Sequence, residues 1–184
     1  MSPGSGAGRA KPSFRFYFDL ASPVAYLAAE RVNHALGEVP EWMPVRLGDV
    51  GPFRCAEEVA AYREDVERAA RAQELQPLRW PDPFPSDSEW AMLAATYAKQ
   101  IGRAVAFSLA AFRQAFAGGR DLSERDNVLI AAAACEMHPA AVIKGAELRG
   151  TRARLEAANA EARAAGVREV PAVVTAAGEL IDVP

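Results

Sequence analysis

The chain has 184 residues, 51% of them hydrophobic and 24% charged, with a formal net charge of −3. That composition suits one globular domain, or one domain carrying a large insertion, and excludes a strongly basic nucleic-acid footprint, a polybasic membrane anchor and a disordered chain. No apolar run approaches a transmembrane span. Met1 to Ser13 is rich in Gly, Ser and Pro and lacks the apolar core of a signal peptide, so it reads as a flexible tail, and the cytoplasm is the expected location. Cys55 and Cys135 are far apart, with no Cys-x-x-Cys and no Cys/His ligand spacing. Neither a disulfide nor a metal site is expected, and both read as small apolar residues.

The first element, Phe14-Arg15-Phe16-Tyr17-Phe18, is aromatic and reads as a strand buried on both faces. It breaks at Asp19 to Ser22 and restarts as a helix predicted from Ser22 to Leu36. Ser22 suits the N-cap, Pro23 the first helical position, and Gly37 the stop. Trp42 to Leu47 reads as a second strand, parallel to the first across a βαβ unit. After the loop Gly48 to Arg54, a charged helix is expected over Ala56–Gln73, with Glu67 and Arg71 at i,i+4.

Arg79 to Ser88 (RWPDPFPSDS) holds Pro81, Pro83 and Pro85, so it is predicted as an extended crossing segment whose Trp80 and Phe84 require burial. Helices follow over Glu89–Ile101 (capped by Asp87 or Ser88), Arg103–Ala117 and Ser123–Met137, then a short helical turn at Pro139–Lys144 and a long helix at Thr151–Ala165. Val167 to Thr175, a turn at Ala176-Ala177-Gly178 and a return over Glu179–Val183 form a β-hairpin, with Pro171 at its start where no ladder N–H is needed. The order is β-α-β, a helical block, then β-β.

Strand, turn and helix N-terminus place the Ser22 hydroxyl where free N–H groups and a positive helix end meet, a setting for an anion. Starting a helix is the commoner use of a Ser-Pro pair. Asp19 reads as a turn-former before it reads as a carboxylate tuning Ser22. His34 and His138 lack an evident Ser or Cys partner, and the carboxylates Glu57, Glu58, Asp65 and Glu67 read as a solvated helix face. Arg149, Arg152 and Arg154 alternate with Glu, so no basic patch forms, and phosphate-loop, dinucleotide and nucleophile-elbow motifs are absent. Val170-Pro171 draws attention: the bond is either trans at a strand edge, as most X–Pro bonds are, or cis, and a cis bond turns the Val170 N–H and C=O toward a cleft that can bind a peptide as an added strand.

FYFDLASPVAYL, RWPDPFPSDS, the helical block and GVREVPAVV, in that order, resemble the DsbA-type thioredoxin-fold superfamily. Within it they look closest to the branch of 2-hydroxychromene-2-carboxylate isomerase and kappa-class glutathione transferase. The resemblance implies an α/β protein, a thioredoxin-like fold with a helical domain inserted between its βαβ and ββ halves. The thioredoxin-like part would be residues 14–50 and 151–184, and the insertion 51–150. In that branch a Ser-Pro replaces Cys-x-x-Cys. By resemblance Ser22 is the catalytic residue that stabilises the thiolate of glutathione or another low-molecular-weight thiol, and Ser22, Pro23, Val170 and the cis-proline Pro171 contact that cofactor. No metal is implied.

The implied activity is a thiol-dependent isomerase or transferase acting on a small aromatic-derived substrate, in a chain that dimerises with itself and binds neither nucleic acid nor membrane. Phe53, Trp80 and Tyr26 are candidates for an apolar cleft wall, with core packing the simpler role. Two rival readings are a thiol–disulfide oxidoreductase, weakened because Ser22 and Ala25 stand at the two cysteine positions, and a catalytically silent peptide-binding scaffold. Three departures from the branch stand out. The loop GDVGPFRC is short and lacks the Lys and Asn that some relatives place on glutathione. Glu169-Val170-Pro171-Ala172 stands where Gly-Val-Pro-Thr is usual. The sequence given stops at Pro184, before the Gly-x-Asp-Arg-like turn and last helix of relatives, which leads to an expectation of exposed sheet and half a glutathione site.

Overall fold

The computed structural model describes residues 12–48, 50–51 and 53–183, so the expected tail lies outside the described residues except for Pro12 and Ser13. Ser13 is tied down: its N–H donates to Glu38 Oε1 at 2.7 Å and its carbonyl accepts from the Ala176 N–H at 2.7 Å. Among the described residues there are four strands, β1 (Phe14–Phe18), β2 (Glu41–Pro44), β3 (Ala172–Thr175) and β4 (Leu180–Ile181). They form one mixed sheet in the order β2-β1-β3-β4, with β1 and β2 parallel and the other pairs antiparallel. The helices are α1 (Pro23–Ala29), α2 (Val32–Ala35), α3 (Ala56–Ala72), α4 (Glu89–Gln100), α5 (Ala104–Phe116), α6 (Arg125–Ala134), α7 (Pro139–Glu147) and α8 (Arg149–Ala164).

The alternation along β1 sorts the core into two layers. Phe16 and Phe18 point to one face with Trp42 and Val173, against α1, α4 and α5. Tyr17 points to the other with Met43, Ala172 and Val174, against Ala162 of α8. Phe16, Tyr17 and Phe18 are wholly buried, and full burial of each phenylalanine stabilises by about 1.5–3 kcal/mol. Phe16 and Phe18 meet Trp42 edge-on at 5.0 and 5.4 Å, and Phe18 reaches Phe112 of α5 at 5.8 Å. The exposed sheet expected at the C-terminal side is confined to β4, where Leu180 is 49% exposed, because α8 and the helical block cover β1 and β3 on both faces.

Several element bounds differ from expectation. The helix predicted over Ser22–Leu36 is split into α1 and α2: the backbone departs from regular helix at Arg31, φ −118 and ψ −30, just after Glu30, whose carboxylate makes a two-pronged ion pair with Arg113 of α5. The strand predicted over Trp42–Leu47 ends at Pro44; Val45 N–H still reaches Phe18 O, but Arg46 N–H turns away to Asn159 Oδ1 on α8 at 2.7 Å. The short turn predicted after Pro139 is a full helix to Glu147, packed through Gly145 on Tyr97 of α4. Cys55 is exposed at the N-cap position of α3, where its side chain makes no capping bond, so the reading of it as a small apolar residue holds only for Cys135, which is buried; both are free thiols. Glu67 is not merely solvated, since its Oε1 accepts from Trp80 Nε1 at 2.7 Å. At α4 the cap contact comes from Asp87, whose Oδ1 accepts from the Glu89 N–H.

Candidate functional site

Parallel pairing puts the C-terminal ends of β1 and β2 side by side, and antiparallel pairing puts the N-terminal end of β3 at that same end. The ladder between β1 and β3 closes at Tyr17–Ala172, so the Asp19–Ser22 turn leaving β1 and the Val170–Pro171 pair entering β3 share one end of the sheet. The Val170–Pro171 peptide is cis, as anticipated. In open α/β sheets, ligands bind outside the carboxyl ends of parallel strands.

The turn is locally over-determined. Ser22 N–H donates to Asp19 O at 3.0 Å, and Ala21 N–H donates to Asp19 Oδ1 at 2.9 Å, which is the turn role weighed for Asp19. Leu20 N–H donates to the thioether of Met92 at 3.2 Å. Ser22 has extended backbone, φ −88 and ψ 112, and its Oγ accepts from the Ala25 N–H at 3.1 Å, the N-cap bond expected of it. Ser22 and Asp19 are 5% and 4% exposed, while Val24, next along, is 40% exposed. The Ala25 bond occupies an acceptor site on Oγ and leaves its proton free to donate. Donation to an anion is therefore the chemistry available to this hydroxyl. Nucleophilic use would need a base within hydrogen-bond reach, and both histidines are exposed elsewhere, His34 on α2 and His138 as the cap of α7.

Beside the turn, an aromatic run leads away from α1. Tyr26 stacks on Phe116 at 5.8 Å, Phe116 meets Trp80 at 6.3 Å, and Trp80 meets Phe84 at 4.8 Å. Phe84 in turn packs with Tyr62 and Phe53. Arg63 of α3 lies 5.2 Å from the centres of both the Trp80 and Phe84 rings. Tyr26 is buried, as its core role requires, whereas Phe53, Trp80 and Phe84 are half-buried. Burial raises the phenol pKa of Tyr26, with Glu30 adding to the effect and Arg113 opposing it; burial alone raises that of Tyr62. Ser22 and Val170 thus share a sheet end, and the aromatic candidates form one cluster. Sequence reasoning missed Met92 and Arg63, whose contacts join residues far apart in the chain.

Two cavities open away from Ser22. One, of about 340 Å³, lies between β2, α4 and α8, and one of about 360 Å³ is lined by the Arg46–Gly48 loop and α8. Among the described residues, no cluster of His, Cys, Asp and Glu fit to hold a metal occurs, and no helix is long and apolar enough to cross a membrane.

A mixed sheet whose first strand runs into a helix-capping turn, with a cis-proline at the same end of the sheet and a block of helices between its halves in sequence, defines a thioredoxin-like domain. The chain belongs to the DSBA-like thioredoxin domain family, which it matches over residues 14–182. Among solved structures it is similar to a 2-hydroxychromene-2-carboxylate isomerase, at 20% identity and a TM-score of 0.78, covering 91% of this chain and 87% of that one. It is also similar to the cytosolic disulfide reductase DsbM of Pseudomonas aeruginosa with GSH, at 16% identity and a TM-score of 0.67, covering 92% and 89%. A Pseudomonas aeruginosa DsbA variant shares 12% identity with a TM-score of 0.59, covering 94% and 76%. No curated protein matches the chain in sequence.

Proposed function

We propose that the protein is a thiol-dependent isomerase or transferase of the 2-hydroxychromene-2-carboxylate isomerase type, with Ser22 stabilising the thiolate of glutathione or a similar small thiol. The observation that carries this reading is the Ser22 hydroxyl, buried at the strand–helix turn, its oxygen accepting from the Ala25 N–H, which leaves the O–H able to donate. A bound thiol supplies a nucleophile that adds to an electrophilic carbon of an aromatic-derived substrate, allows rotation or double-bond shift, and leaves again. The protein's own residues hold and orient it. Ser22 donates a hydrogen bond to sulfur, the Val170 backbone beside Pro171 pairs with the thiol's peptide unit, and Pro23 keeps the first helical position free of a competing N–H. Dimerisation, a cytoplasmic setting and the absence of nucleic-acid or membrane partners belong to the same proposal. Disulfide exchange is the weaker reading because Ser22 and Ala25 replace the redox pair, and the free thiols Cys55 and Cys135 sit at the α3 cap and the end of α6.

The magnitudes assign the effect mainly to the hydroxyl. α1 has only 7 residues, so its dipole adds at the low end of about 0.3–1 kcal/mol. A charge-assisted hydrogen bond adds about 1.5–3 kcal/mol. At about 1.36 kcal/mol per pKa unit the sum lowers a thiol pKa by roughly one to three units, from about 8.5 to between about 7.5 and 5.5, and thiolate is the main form at pH 7 once the shift exceeds about 1.5 units. The test is thiolate absorbance of bound glutathione, and separately of mycothiol, against pH. The expected outcome is a depressed titration midpoint in wild type that Ser22→Ala loses by at least one unit, with a thermal melt showing a stability loss of about 1 kcal/mol from the missing cap. Superimposable curves, or no binding of either thiol to the wild type, would retire Ser22 from this role. Insulin reduction by the wild type would move the disulfide-exchange reading ahead.

A further inference from the structure

The three consecutive N–H groups of the Leu20-Ala21-Ser22 turn are all engaged, but not by the same part of the molecule. Those of Ala21 and Ser22 go to Asp19, inside the turn. The Leu20 N–H goes to Met92 Sδ at 3.2 Å, across 72 positions of sequence. Leu20 is 1% exposed and Met92 wholly buried, so water cannot replace this partner and an unmet N–H there carries its full desolvation cost. A thioether is a weak acceptor, and its value here lies in position. Met92 sits on α4, which packs against α5, α7, α8 and β2. It is therefore a point at which the inserted helices grip the turn that carries Ser22.

We propose that Met92 is a positioning residue for Ser22. Its sulfur pins the Leu20 N–H, and through the turn it fixes where the Ser22 hydroxyl sits relative to the Ala25 N–H and to any anion it serves. The anchoring stands on the geometry alone; only its effect on a bound thiol rests on the function proposed for Ser22.

A core-packing role for Met92 makes a different prediction from an anchoring one. Met92→Leu nearly conserves volume and apolarity but removes the acceptor. Amide hydrogen exchange, read residue by residue by NMR, separates the two. In Met92→Leu the Leu20 amide is expected to exchange at least about tenfold faster than in wild type. The Ala25 amide, which reports the Ser22 Oγ position, follows it, while Phe16 and Phe18 in β1 keep their wild-type rates. Wild-type protein carrying selenomethionine, whose selenium retains the acceptor, keeps the slow Leu20 exchange. Bound-glutathione titration in Met92→Leu is expected to move part of the way toward that of Ser22→Ala.

Unchanged exchange at Leu20 and Ala25 overturns the proposal. So does a rise spread equally over Phe16 and Phe18, which would make Met92 a packing residue. A localised rise together with an unmoved thiol midpoint, in a wild type that does hold thiolate, also overturns it. If the wild type binds no thiol, the function proposed for Ser22 fails by itself, and exchange at Leu20 and Ala25 still decides the anchoring.

Discussion

Gly145 shows how a single side-chain atom is excluded by packing. It lies inside α7, where alanine in place of glycine ordinarily gains about 1 kcal/mol. A Cβ at this position would overlap the ring of Tyr97 on α4, and the atoms it would meet belong to a packed ring rather than to a flexible chain end. The same residue's carbonyl accepts from Thr151 Oγ1 at 2.7 Å, so α7 cannot easily slide to make room. Overpacking of this kind costs about 1–3 kcal/mol, which outweighs the helix gain. Gly145→Ala is expected to lower stability in urea unfolding, and Tyr97→Leu in the same chain to recover part of the loss; a more stable single variant would refute the packing argument. Residues of this kind are silent in the sequence, because glycine inside a helical pattern reads as a weak position. Ser22 was legible for the opposite reason. Its hydrogen bond closes over three residues, and the Asp19 turn over two, so local chemistry alone placed both.

At the scale of elements, the ion pair that joins the end of α1 to α5 can be tested. Glu30, whose side chain is 13% exposed, receives Arg113 Nε and Nη2 on its two oxygens, each at 2.7 Å, joining the end of α1 to α5. Arg113 is 57% exposed, so the pair is discounted toward the surface range. Arg113→Ala is expected to cost about 1 kcal/mol, and Arg113→Lys to recover less than half, because an ammonium cannot match both oxygens at once. Denaturant midpoints of the three proteins check this; an Arg113→Lys protein as stable as wild type would show that the fork geometry contributes nothing. Helices α3, α4 and α5 were readable to within a residue or so, since their apolar spacing is long and their stops are local. The end of β2 was not, because it depends on Asn159, more than a hundred positions away, drawing off the Arg46 N–H. The contact between Met92 and Leu20 was hidden in the same way.

At the scale of the whole molecule, the order of motifs carried the fold: an aromatic strand, a Ser-Pro turn, a proline-rich crossing, helices, and a late Val-Pro hairpin were enough to place the sheet. The same aromatic content shapes how the protein responds to alkali. Burial is the largest cause raising the phenol pKa values of Tyr17, Tyr26 and Tyr62 above their ordinary 10.0, with Arg15 opposing it at Tyr17 and Arg113 at Tyr26. Burial likewise raises the thiol of Cys135 above 9.0, against the pull of Arg103. Each of these groups is neutral when protonated, and the native state holds the proton to higher pH than the unfolded chain does. Below the unfolded values the stabilisation from this difference is fully present. As pH passes about 9 for the thiol and 10 for the phenols, the unfolded chain releases protons that the native state retains, so stability falls with rising pH. Melting temperatures are therefore expected to be insensitive to these groups from pH 7 to about 9 and to drop progressively above it. Tyr62→Phe removes one of the contributing phenols without removing its ring from the stack with Phe84, and its melting curve should fall less steeply between pH 10 and 11.5 than that of wild type. A stability that rises across that interval, or a Tyr62→Phe slope equal to wild type, would show that Tyr62 titrates alike in the folded and unfolded chain.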